Sequence, residues 1–298
     1  MGKGFHMFKI SKSTRSLIRL ALREDLGRGD VTTETLIPHR LKGEARIVAN
    51  DLGVLCGGAV VKEVFRLIDP HLSVVQNVRD GDRISSGKAV FVLRGRLASI
   101  LKGERVALNF LGRLSGIAML TNQFVRKVKG TRAKIYDTRK TTPLWRELEK
   151  YAVRQGGGGN HRFGLWDEIL VKNNHWNAIR PLLIETQCQY FGDRLRPVLG
   201  RNRLPVEVEV RTMSEFTHSL EGRFHPDRIL LDHFNTRELK QAVRLTRHFQ
   251  PRPLLEASGG VSLSSVRAIA RTGVDRISVG AITQSASSLD FSLKVLPP

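Results

Sequence analysis

The sequence contains very little cysteine. Cys56 and Cys188 are its only cysteines in 298 residues, too few for a disulfide framework or a cysteine-rich zinc site. The spacings CxxC and HExxH are also absent, so no metal ion held directly by protein side chains is expected. A chain this poor in cysteine is typical of a reducing compartment.

Long hydrophobic runs are missing as well. No segment approaches the ~20 apolar residues that a membrane-spanning helix requires. The first residues, MGKGFHMFKISKS, lack the apolar segment of a signal peptide. His6 occupies the position at which a myristoylation signal needs Ser or Thr. We therefore expect a cytoplasmic protein with no membrane partner.

Acidic residues are scarce relative to basic ones. There are 28 Asp and Glu against 49 Lys and Arg, a formal net charge of +21. Such a field attracts nucleic acids, anionic membranes or phosphorylated metabolites. The arginines extend from Arg15 to Arg276 and do not form one tail, which argues against a dedicated nucleic-acid-binding segment. With 41% hydrophobic residues, the chain can form one large or two modest cores.

The first 129 residues have a mixed α+β pattern. Leucine and isoleucine spacing predicts a helix that ends near Gly27, and a second helix is predicted at 59–68. Short strands are predicted at 44–49, 72–78 and 89–93. A long helix follows at 98–129, and Gly112 and Gly116 are expected to interrupt it.

From residue 133 onward, strand and helix candidates alternate. The helices are predicted at about 143–154, 175–190, 213–220, 237–248 and 264–271, and the mostly apolar strands at 133–136, 169–172, 206–210, 228–231, 254–257 and 276–279. Thr142 is expected to cap the first helix, with Pro143 at its first position. Repeated βα units indicate parallel strands with right-handed crossovers, either in an open doubly wound sheet or in a barrel.

A charged or glycine-rich element follows each predicted strand. These elements are Asp137-Thr138-Arg139-Lys140, Lys172, Glu209, Asp232, Ser258-Gly259-Gly260 and Gly280. Active sites of β/α barrels are assembled from such strand ends, whereas an open sheet concentrates polar residues at one switch point. We therefore predict a barrel of six or seven strands, since about 150 residues are few for eight βα units.

Residues 137–175 hold the clearest functional signal. Five cationic side chains lie there at strand ends and in loops around a four-glycine run: Arg139, Lys140, His161, Arg162 and Lys172. Glycine allows a ligand to approach the main chain closely. The run fits neither a Walker loop nor a dinucleotide-binding fingerprint. This layout predicts a pocket for a small, highly anionic substrate.

Two carboxylates and a second glycine turn complete the predicted pocket. Glu209 and Asp232 end buried strands, where an unpaired carboxylate is costly. Each is therefore expected to pair with Lys140 or Lys172, to act on the substrate, or both. Ser258-Gly259-Gly260 can cradle a phosphate with its backbone N–H groups. Cations, carboxylates and turns together suit phosphoribosyl transfer from phosphoribosyl pyrophosphate (PRPP) with Mg²⁺.

The sequence also resembles a known family, the carboxylating nicotinate-nucleotide pyrophosphorylases, or quinolinate phosphoribosyltransferases. The resemblance covers nearly the whole chain through the ordered motifs ALREDLGRGDVTTETLIP, GERVALNFLGRLSGIA, DTRKTTP, GGGGNHRFGLWD, ILVKNNH, VEVEV, ILLDHF, EASGGV and ISVGAIT. It implies an α/β fold with an N-terminal α/β sandwich at 1–116 and an incomplete TIM-like barrel of about seven strands at 117–285. Residues 286–298 would pack back on the first domain, with the last helix returning to it.

The resemblance implies transfer of phosphoribosyl from PRPP to quinolinate with loss of CO₂, which gives nicotinate mononucleotide and pyrophosphate. It implies a homodimer in which quinolinate binds to Arg139, His161, Arg162, Lys172 and Arg105 of the partner subunit. PRPP with Mg²⁺ would lie over the catalytic residues Lys140, Glu209 and Asp232, and Mg²⁺ would be held through PRPP and water. The 5′-phosphate of PRPP would lie near Ser258, Gly259 and Gly280. Thr138 and Gly260 would complete the set of substrate-binding residues.

The chain departs from the family pattern beside this pocket. Asn173 stands where the family usually has an acidic residue, His233 where it has Asn, and Gln284 where it has His. Leu144-Trp145 replaces a glycine-containing turn, and the segment 194–205 is longer and richer in arginine than expected. Because Asn173 removes a negative charge, we expect an altered dependence on Mg²⁺.

Two alternative functions remain open at this point. A drifted paralogue or another phosphoribosyltransferase could use a different acceptor, such as nicotinate, but a monoacid needs fewer cations than the predicted pocket offers. A basic nucleic-acid-binding protein would account for the net charge of +21. That function would leave Glu209 and Asp232 unexplained.

Overall fold

The computed structural model describes residues 8–179, 194, 204–221 and 224–297. Its contacts form two units: the first comprises Met1–Asn122, Thr141–Gly157 and Ile282–Pro298, and the second Gln123–Lys140 and Gly158–Ala281. The domain limits expected at residues 116 and 286 stay predictions. The helix expected at 175–190 is seen only to residue 179, and most of the arginine-rich segment 194–205 lies outside the described residues.

The first unit contains a four-stranded antiparallel sheet in the order β12-β1-β5-β3, formed by Lys42–Ala49 (β1), Ser73–Gln76 (β3), Ala89–Arg96 (β5) and Phe291–Val295 (β12). A small two-stranded sheet joins Gly53–Val54 (β2) to Arg83–Ile84 (β4). Its helices are Lys12–Leu26 (α1), Val31–Leu36 (α2), Gly58–Ile68 (α3), Leu97–Lys127 (α4, which ends in the second unit) and Arg146–Gln155 (α5).

The last helix, Ala281–Gln284, leads into the part of the chain that belongs to the first unit, and the residues after it form a strand of that unit. Ala45 of β1 pairs with Val295 and Ala49 pairs with Phe291, in antiparallel register. The sequence FSLKV alternates apolar and polar side chains, which is the period of a strand and not of a helix.

Gly112 and Gly116 do not interrupt α4, contrary to the prediction. A Cβ atom at Gly112 would lie 2.7 Å from the carbonyl oxygen of Leu289, and one at Gly116 would overlap the carbonyl oxygen of Ser287. The Leu289 N–H also donates to the Gly112 carbonyl, at 3.1 Å. These glycines therefore provide space for the C-terminal segment and leave the helix continuous.

The predicted start of α5 is also wrong. The helix begins at Arg146, and Trp145 precedes it without a capping side chain. Thr142 instead donates its N–H (3.2 Å) and its hydroxyl (2.8 Å) to Glu149. A fully buried carboxylate needs such donors, and this demand outweighs the capping preference of threonine. Leu144 in the intervening turn has φ +67°, a conformation that favours glycine.

The second unit contains a six-stranded parallel sheet in the order β6-β11-β10-β9-β8-β7. The strands are Lys134–Tyr136 (β6), Ile169–Val171 (β7), Val206–Val210 (β8), Arg228–Asp232 (β9), Leu254–Ser258 (β10) and Arg276–Ser278 (β11). The described helices beside them are Asn173–Ile179 (α6), Met213–Glu221 (α7), Thr236–Thr246 (α8) and Val266–Ala270 (α9), and Ala281–Gln284 (α10) leads back to the first unit. The mixed α/β fold is confirmed, with all six predicted strands.

The glycine run adds a short parallel contact at the β6 edge of this sheet. The Gly159 N–H donates to the Ile135 carbonyl at 2.7 Å, and the Asp137 N–H donates to the Gly159 carbonyl at 3.1 Å. A Cβ atom at Gly159 would lie 2.6 Å from the Tyr136 ring. Glycine is therefore required here by close packing against β6.

Among the described residues, no helix is long and apolar enough to cross a membrane.

Candidate active site

Parallel register brings the predicted residues of the second unit to one edge of the sheet. Asp232 pairs with Ser258 across β9 and β10, and Tyr136 pairs with Ser278 across β6 and β11. The strand ends are therefore level, and the residues that follow them lie along the same edge: Thr138, Arg139, Lys140, Lys172, Gly259, Gly260 and Gly280.

Arg105 belongs to the other unit of the chain. It is an exposed residue of α4 in the first unit. The contact that the resemblance assigns to it is with a second copy of the chain.

Asp137 connects the loop after β6 to the loop after the glycine run. Its buried carboxylate accepts the His161 N–H at 2.8 Å and the Asn160 side-chain amide at 2.6 Å. In the first loop, the Lys140 N–H donates to the Thr138 hydroxyl at 3.0 Å, which fixes the turn. Arg139 and His161 are therefore held on two loops that share one carboxylate.

The charges of Arg139 and Arg162 act on one another. Arg162 is buried, and its Nη1 donates to the Glu168 carbonyl at 3.0 Å. Burial, together with the charge of Arg139, lowers the pKa of Arg162. Two guanidinium groups that repel each other in a poorly solvated place gain stability when a ligand carboxylate lies between them. The pair is therefore suited to a dianion.

His161 makes contacts through both ring nitrogens. Nε2 lies 3.0 Å from Oε2 of Glu207 and 3.4 Å from Oε1 of Glu256. Nδ1 accepts the Arg162 N–H at 2.8 Å. The Nδ1 contact requires a free lone pair, so it selects the tautomer in which Nε2 carries the proton and donates to the carboxylates.

The proton balance of this cluster is shared. Burial opposes a charged imidazole, but the hydrogen bonds that the imidazole donates to Glu207 and Glu256 outweigh burial and raise the pKa of His161 to about 10. Burial and the charge of Glu256 also raise the pKa of Glu207, to about 7. The raised pKa of His161 favours a second ring proton, but the Arg162 N–H already occupies the Nδ1 lone pair that this proton would need. The geometry therefore leaves one proton on the ring, on Nε2, facing the two carboxylates.

Sequence reasoning missed this interior charge cluster. Glu207 and Glu256 are fully buried within their strands, and Arg228 forms an ion pair with Glu168 and lies 3.9 Å from Glu207. The available signal was glutamate within otherwise apolar strands, as in VEVEV. Residues two apart share a face of a strand, so Glu207 accompanies Glu209 on the same side of β8.

The interior cluster is a poor metal site despite its ligand types. Donor atoms of His161, Glu168 and Glu207 lie within 4.8 Å of one another. However, Arg228 already pairs with Glu168, and His161 already donates to Glu207. A metal ion would have to displace both partners, so these carboxylates are better explained as charge partners.

Glu209 lies between Lys172 and the start of α6. Its Oε2 is 3.7 Å from the Lys172 ammonium nitrogen, which is one of the two pairings expected for it. Its Oε1 accepts the Asn173 N–H at 3.3 Å. The Lys172 N–H in turn donates to Nδ1 of His175 at 2.9 Å. Glu209 is therefore fixed beside the position at which the chain departs from its family.

Asp232 pairs with Arg211, a residue that the sequence did not single out, at 3.3 Å. The next residue, His233, has φ +61°, a conformation in which Asn and His are enriched, which accounts for the family preference at this position. A Cβ atom at Gly259 would lie 2.7 Å from the His233 ring, and Gly259 and Gly260 both have positive φ. The turn after β10 therefore requires its glycines.

Comparisons with known proteins cover both units. Residues 30–115 match the family described as quinolinate phosphoribosyl transferase, N-terminal domain, and residues 117–294 match the C-terminal domain of the same family. The chain is 40% identical over 287 residues to the nicotinate-nucleotide pyrophosphorylase [carboxylating] of Mycobacterium leprae, covering 94% of this chain and 96% of the relative. It is 39% identical over 282 residues to the probable enzyme of the same name from Bacillus subtilis, covering 94% and 93%.

A solved structure of a similar protein points to the same family. The nicotinate-nucleotide pyrophosphorylase from Francisella tularensis aligns with a TM-score of 0.86 and 34% identity, over 98% of this chain and all of the other. The matched domains, the relatives and the structural alignment agree with one another and with the edge of cations and carboxylates described above. The chain belongs to the quinolinate phosphoribosyltransferase family.

Proposed function

We infer that this protein transfers the phosphoribosyl group of PRPP to quinolinate with loss of CO₂, forming nicotinate mononucleotide and pyrophosphate in NAD biosynthesis. What supports this function, beyond family membership, is that burial and the charge of Arg139 lower the pKa of the buried Arg162, so the two guanidiniums act on one another. Quinolinate has two adjacent carboxylates, and two neighbouring guanidiniums provide matching bidentate donors.

The quinolinate pocket is proposed to contain Arg139, Arg162 and Lys172, with His161 behind them. Arg105 of the partner subunit would complete it in a homodimer. The exposure of Arg105 on α4 supports this role, because its guanidinium is accessible to a second copy of the chain. Neutralising a dianion in a pocket that already holds several cations accounts for this concentration of positive charge.

PRPP is proposed to bind with Mg²⁺ over Lys140, Glu209 and Asp232. Both carboxylates are partly exposed at the sheet edge. They fit a hydrated Mg²⁺ that keeps several waters and takes its remaining ligands from a substrate pyrophosphate. Bound there, the ion would neutralise the leaving group. Thr138, Ser258, Gly259, Gly260 and Gly280 are proposed to hold the phosphoribosyl part of PRPP, with its 5′-phosphate at the glycine turn.

In the proposed reaction, the pyridine nitrogen attacks C1′ of PRPP while the C1′–oxygen bond to pyrophosphate breaks. Glu209 and Asp232 stabilise the positive charge that develops on the ribose, and Lys140 interacts with the departing phosphates. The bond from C2 of the ring to its carboxylate then breaks, and the electron pair stays on C2 beside the quaternised nitrogen. A proton from water completes nicotinate mononucleotide.

The cellular location and the assembly are part of the proposal. Cys56 is fully buried, and burial raises the pKa of its thiol, so it is an inert core residue. Low cysteine content supports a reducing compartment, for which we propose the cytoplasm. A homodimer follows from the role given to Arg105.

The test uses quinolinate labelled at the 2-carboxylate, incubated with PRPP and Mg²⁺. We expect labelled CO₂ and nicotinate mononucleotide in equal amounts. Nicotinate serves as the control acceptor, because it differs from quinolinate only in lacking the 2-carboxylate. Formation of the mononucleotide from nicotinate, with no CO₂ from quinolinate, would instead establish a transferase with a different acceptor.

A further inference from the structure

Two carboxylates reach one imidazole from strands that are not neighbours. Glu207 lies on β8 and Glu256 on β10, with β9 between them. Both are fully buried, and both approach Nε2 of His161, at 3.0 and 3.4 Å. A buried carboxylate is costly unless it has a partner. The imidazole of His161 is therefore the shared partner of the two carboxylates.

The same imidazole also contacts a residue of the proposed quinolinate pocket. Its Nδ1 accepts the backbone N–H of Arg162 at 2.8 Å. The Arg162 guanidinium is held independently, because Nη1 donates to the Glu168 carbonyl at 3.0 Å. The Glu168 side chain is in turn paired with Arg228, which lies 3.9 Å from Glu207. Contacts from the interior cluster therefore fix Arg162 at its backbone and at its side chain.

We propose that Glu207 and Glu256 are positioning residues for quinolinate, acting through the imidazole of His161 to fix the backbone of Arg162 and thereby the guanidinium that receives a substrate carboxylate. This role rests on the function proposed above. Neither glutamate touches a substrate. Their orientation of His161 sets which ring nitrogen carries the proton, as carboxylates do for other functional histidines.

A purely structural cluster would behave differently. Removing a buried charge would then lower the stability of the fold, and it would not change the affinity for quinolinate more than the affinity for PRPP. A positioning role instead affects quinolinate selectively, because Arg162 belongs to that pocket, while PRPP is proposed to bind Lys140, Glu209 and Asp232. The useful readout is therefore affinity for each substrate measured separately.

The first experiment measures binding of quinolinate alone, and of PRPP with Mg²⁺, by calorimetry in Glu207→Gln and Glu256→Gln. Glutamine keeps the shape but removes the charge that orients Nε2–H. Affinity for quinolinate should fall about tenfold or more, the size expected for loss of one charged hydrogen bond, while affinity for PRPP stays within about twofold. Quinolinate affinity unchanged in both variants would overturn the proposal.

Asp275→Asn is the matched control. Asp275 is also a buried carboxylate of the second unit, paired with Arg252 at 2.9 Å and with the Leu255 N–H at 2.9 Å, before the start of β11. It should lower stability without changing affinity for quinolinate. If it weakens quinolinate binding as much as the glutamate variants do, general destabilisation explains the effect and the positioning role fails.

A double-mutant cycle tests the route through His161. In a His161→Gln background, adding Glu207→Gln should cause little further loss of quinolinate affinity, because the intermediary is already gone. Fully additive losses would show that Glu207 acts by another route. The cycle does not depend on turnover.

The wild type supplies a test that needs no variant. In protein with ¹⁵N-labelled histidine, the His161 ring should show a protonated Nε2 and an accepting Nδ1 in the absence of substrate. A ring with a proton on Nδ1, whether alone or in addition to the one on Nε2, would refute the proposed orientation. These outcomes are distinct from failure of the function, which would appear as wild-type protein with the expected tautomer that neither binds quinolinate nor releases CO₂ from it.

Discussion

The backbone N–H of Asn173 donates to Oε1 of Glu209 at 3.3 Å, so the residue that departs from the family pattern lies beside a carboxylate proposed to act on PRPP. The other oxygen of that carboxylate is 3.7 Å from the Lys172 ammonium. A negative side chain at position 173 would therefore add its charge beside the carboxylate proposed to receive hydrated Mg²⁺. Asparagine lacks that charge.

Asn173→Asp is expected to lower the Mg²⁺ concentration that gives half-maximal activity, by about threefold to tenfold, from one additional charge near the ion in a partly solvated site. The measurement is a Mg²⁺ titration at saturating quinolinate. Asn174→Asp is the control, because it adds the same charge at the next, exposed position of α6. Superimposable titrations for Asn173→Asp and the wild type would contradict the expectation.

Lys140 and Arg162 should have separable kinetic roles. Lys140→Ala is expected to lower kcat about 100-fold, because its charge acts on the departing pyrophosphate. Arg162→Ala should mainly raise KM for quinolinate, by about tenfold to 100-fold, through loss of a charge-assisted contact. Lys134→Ala, an exposed residue of β6, is the control for loss of a surface cation. Equal changes in both constants for both variants would disprove this division.

Shared sites can be tested by mixing impaired variants and assaying them at a quinolinate concentration near the wild-type KM, where each variant alone has little activity. If Arg105 acts in the partner's pocket, a heterodimer of Arg105→Ala and Lys140→Ala contains one intact site. Random exchange at equal amounts should then restore about a quarter of wild-type activity in a symmetric dimer. Mixing Lys140→Ala with Arg162→Ala is the control, since no combination of those chains restores a site. Absence of recovery after verified subunit exchange would mean that Arg105 acts in its own chain or not at all.

The sheet edge could be predicted because its signal is local. The predicted strands are mostly apolar, with a polar residue or glycine at or just after the end of each, so Asp232 and Ser258 could be placed at the same edge before any contact was known. Glu207 and Glu256 could not, because their shared partner depends on which strands flank β9 and on the path of the loop carrying His161.

The other errors arise where a specific contact outweighs a local preference. Propensity correctly ranks glycine as a poor helix residue, but Gly112 and Gly116 are needed where residues 287–289 lie against α4. Thr142 has the right chemistry for a cap, yet the buried Glu149 takes its donors. At the two glycines, a partner far along the chain outweighs the local preference. At Thr142, a buried group in need of donors outweighs it.

The ion cluster around Glu63 should make stability depend on pH. Its buried carboxylate accepts from Arg66 at 2.8 Å and from Arg15 at 2.7 Å. The hydrogen bond from Arg66, with that from Arg15, holds the pKa of Glu63 below its ordinary value of 4.5 despite burial. Because the folded pKa is lower than the unfolded one, the pairing stabilises the fold above about pH 5, and this contribution is lost as pH falls through the folded pKa.

Glu63→Gln is therefore expected to lower the free energy of unfolding by about 1 kcal/mol at pH 7, a modest value because both arginines are substantially exposed. The difference between wild type and variant should shrink as the pH is lowered below 4.5, since the wild-type carboxyl is then also becoming neutral. Urea unfolding of both proteins from pH 7 to pH 3.5 measures this difference directly. Glu24→Gln, a charge removal on the exposed face of α1, controls for net charge. A difference that stays constant across this range would show that Glu63 contributes through packing alone, because a steric loss does not titrate.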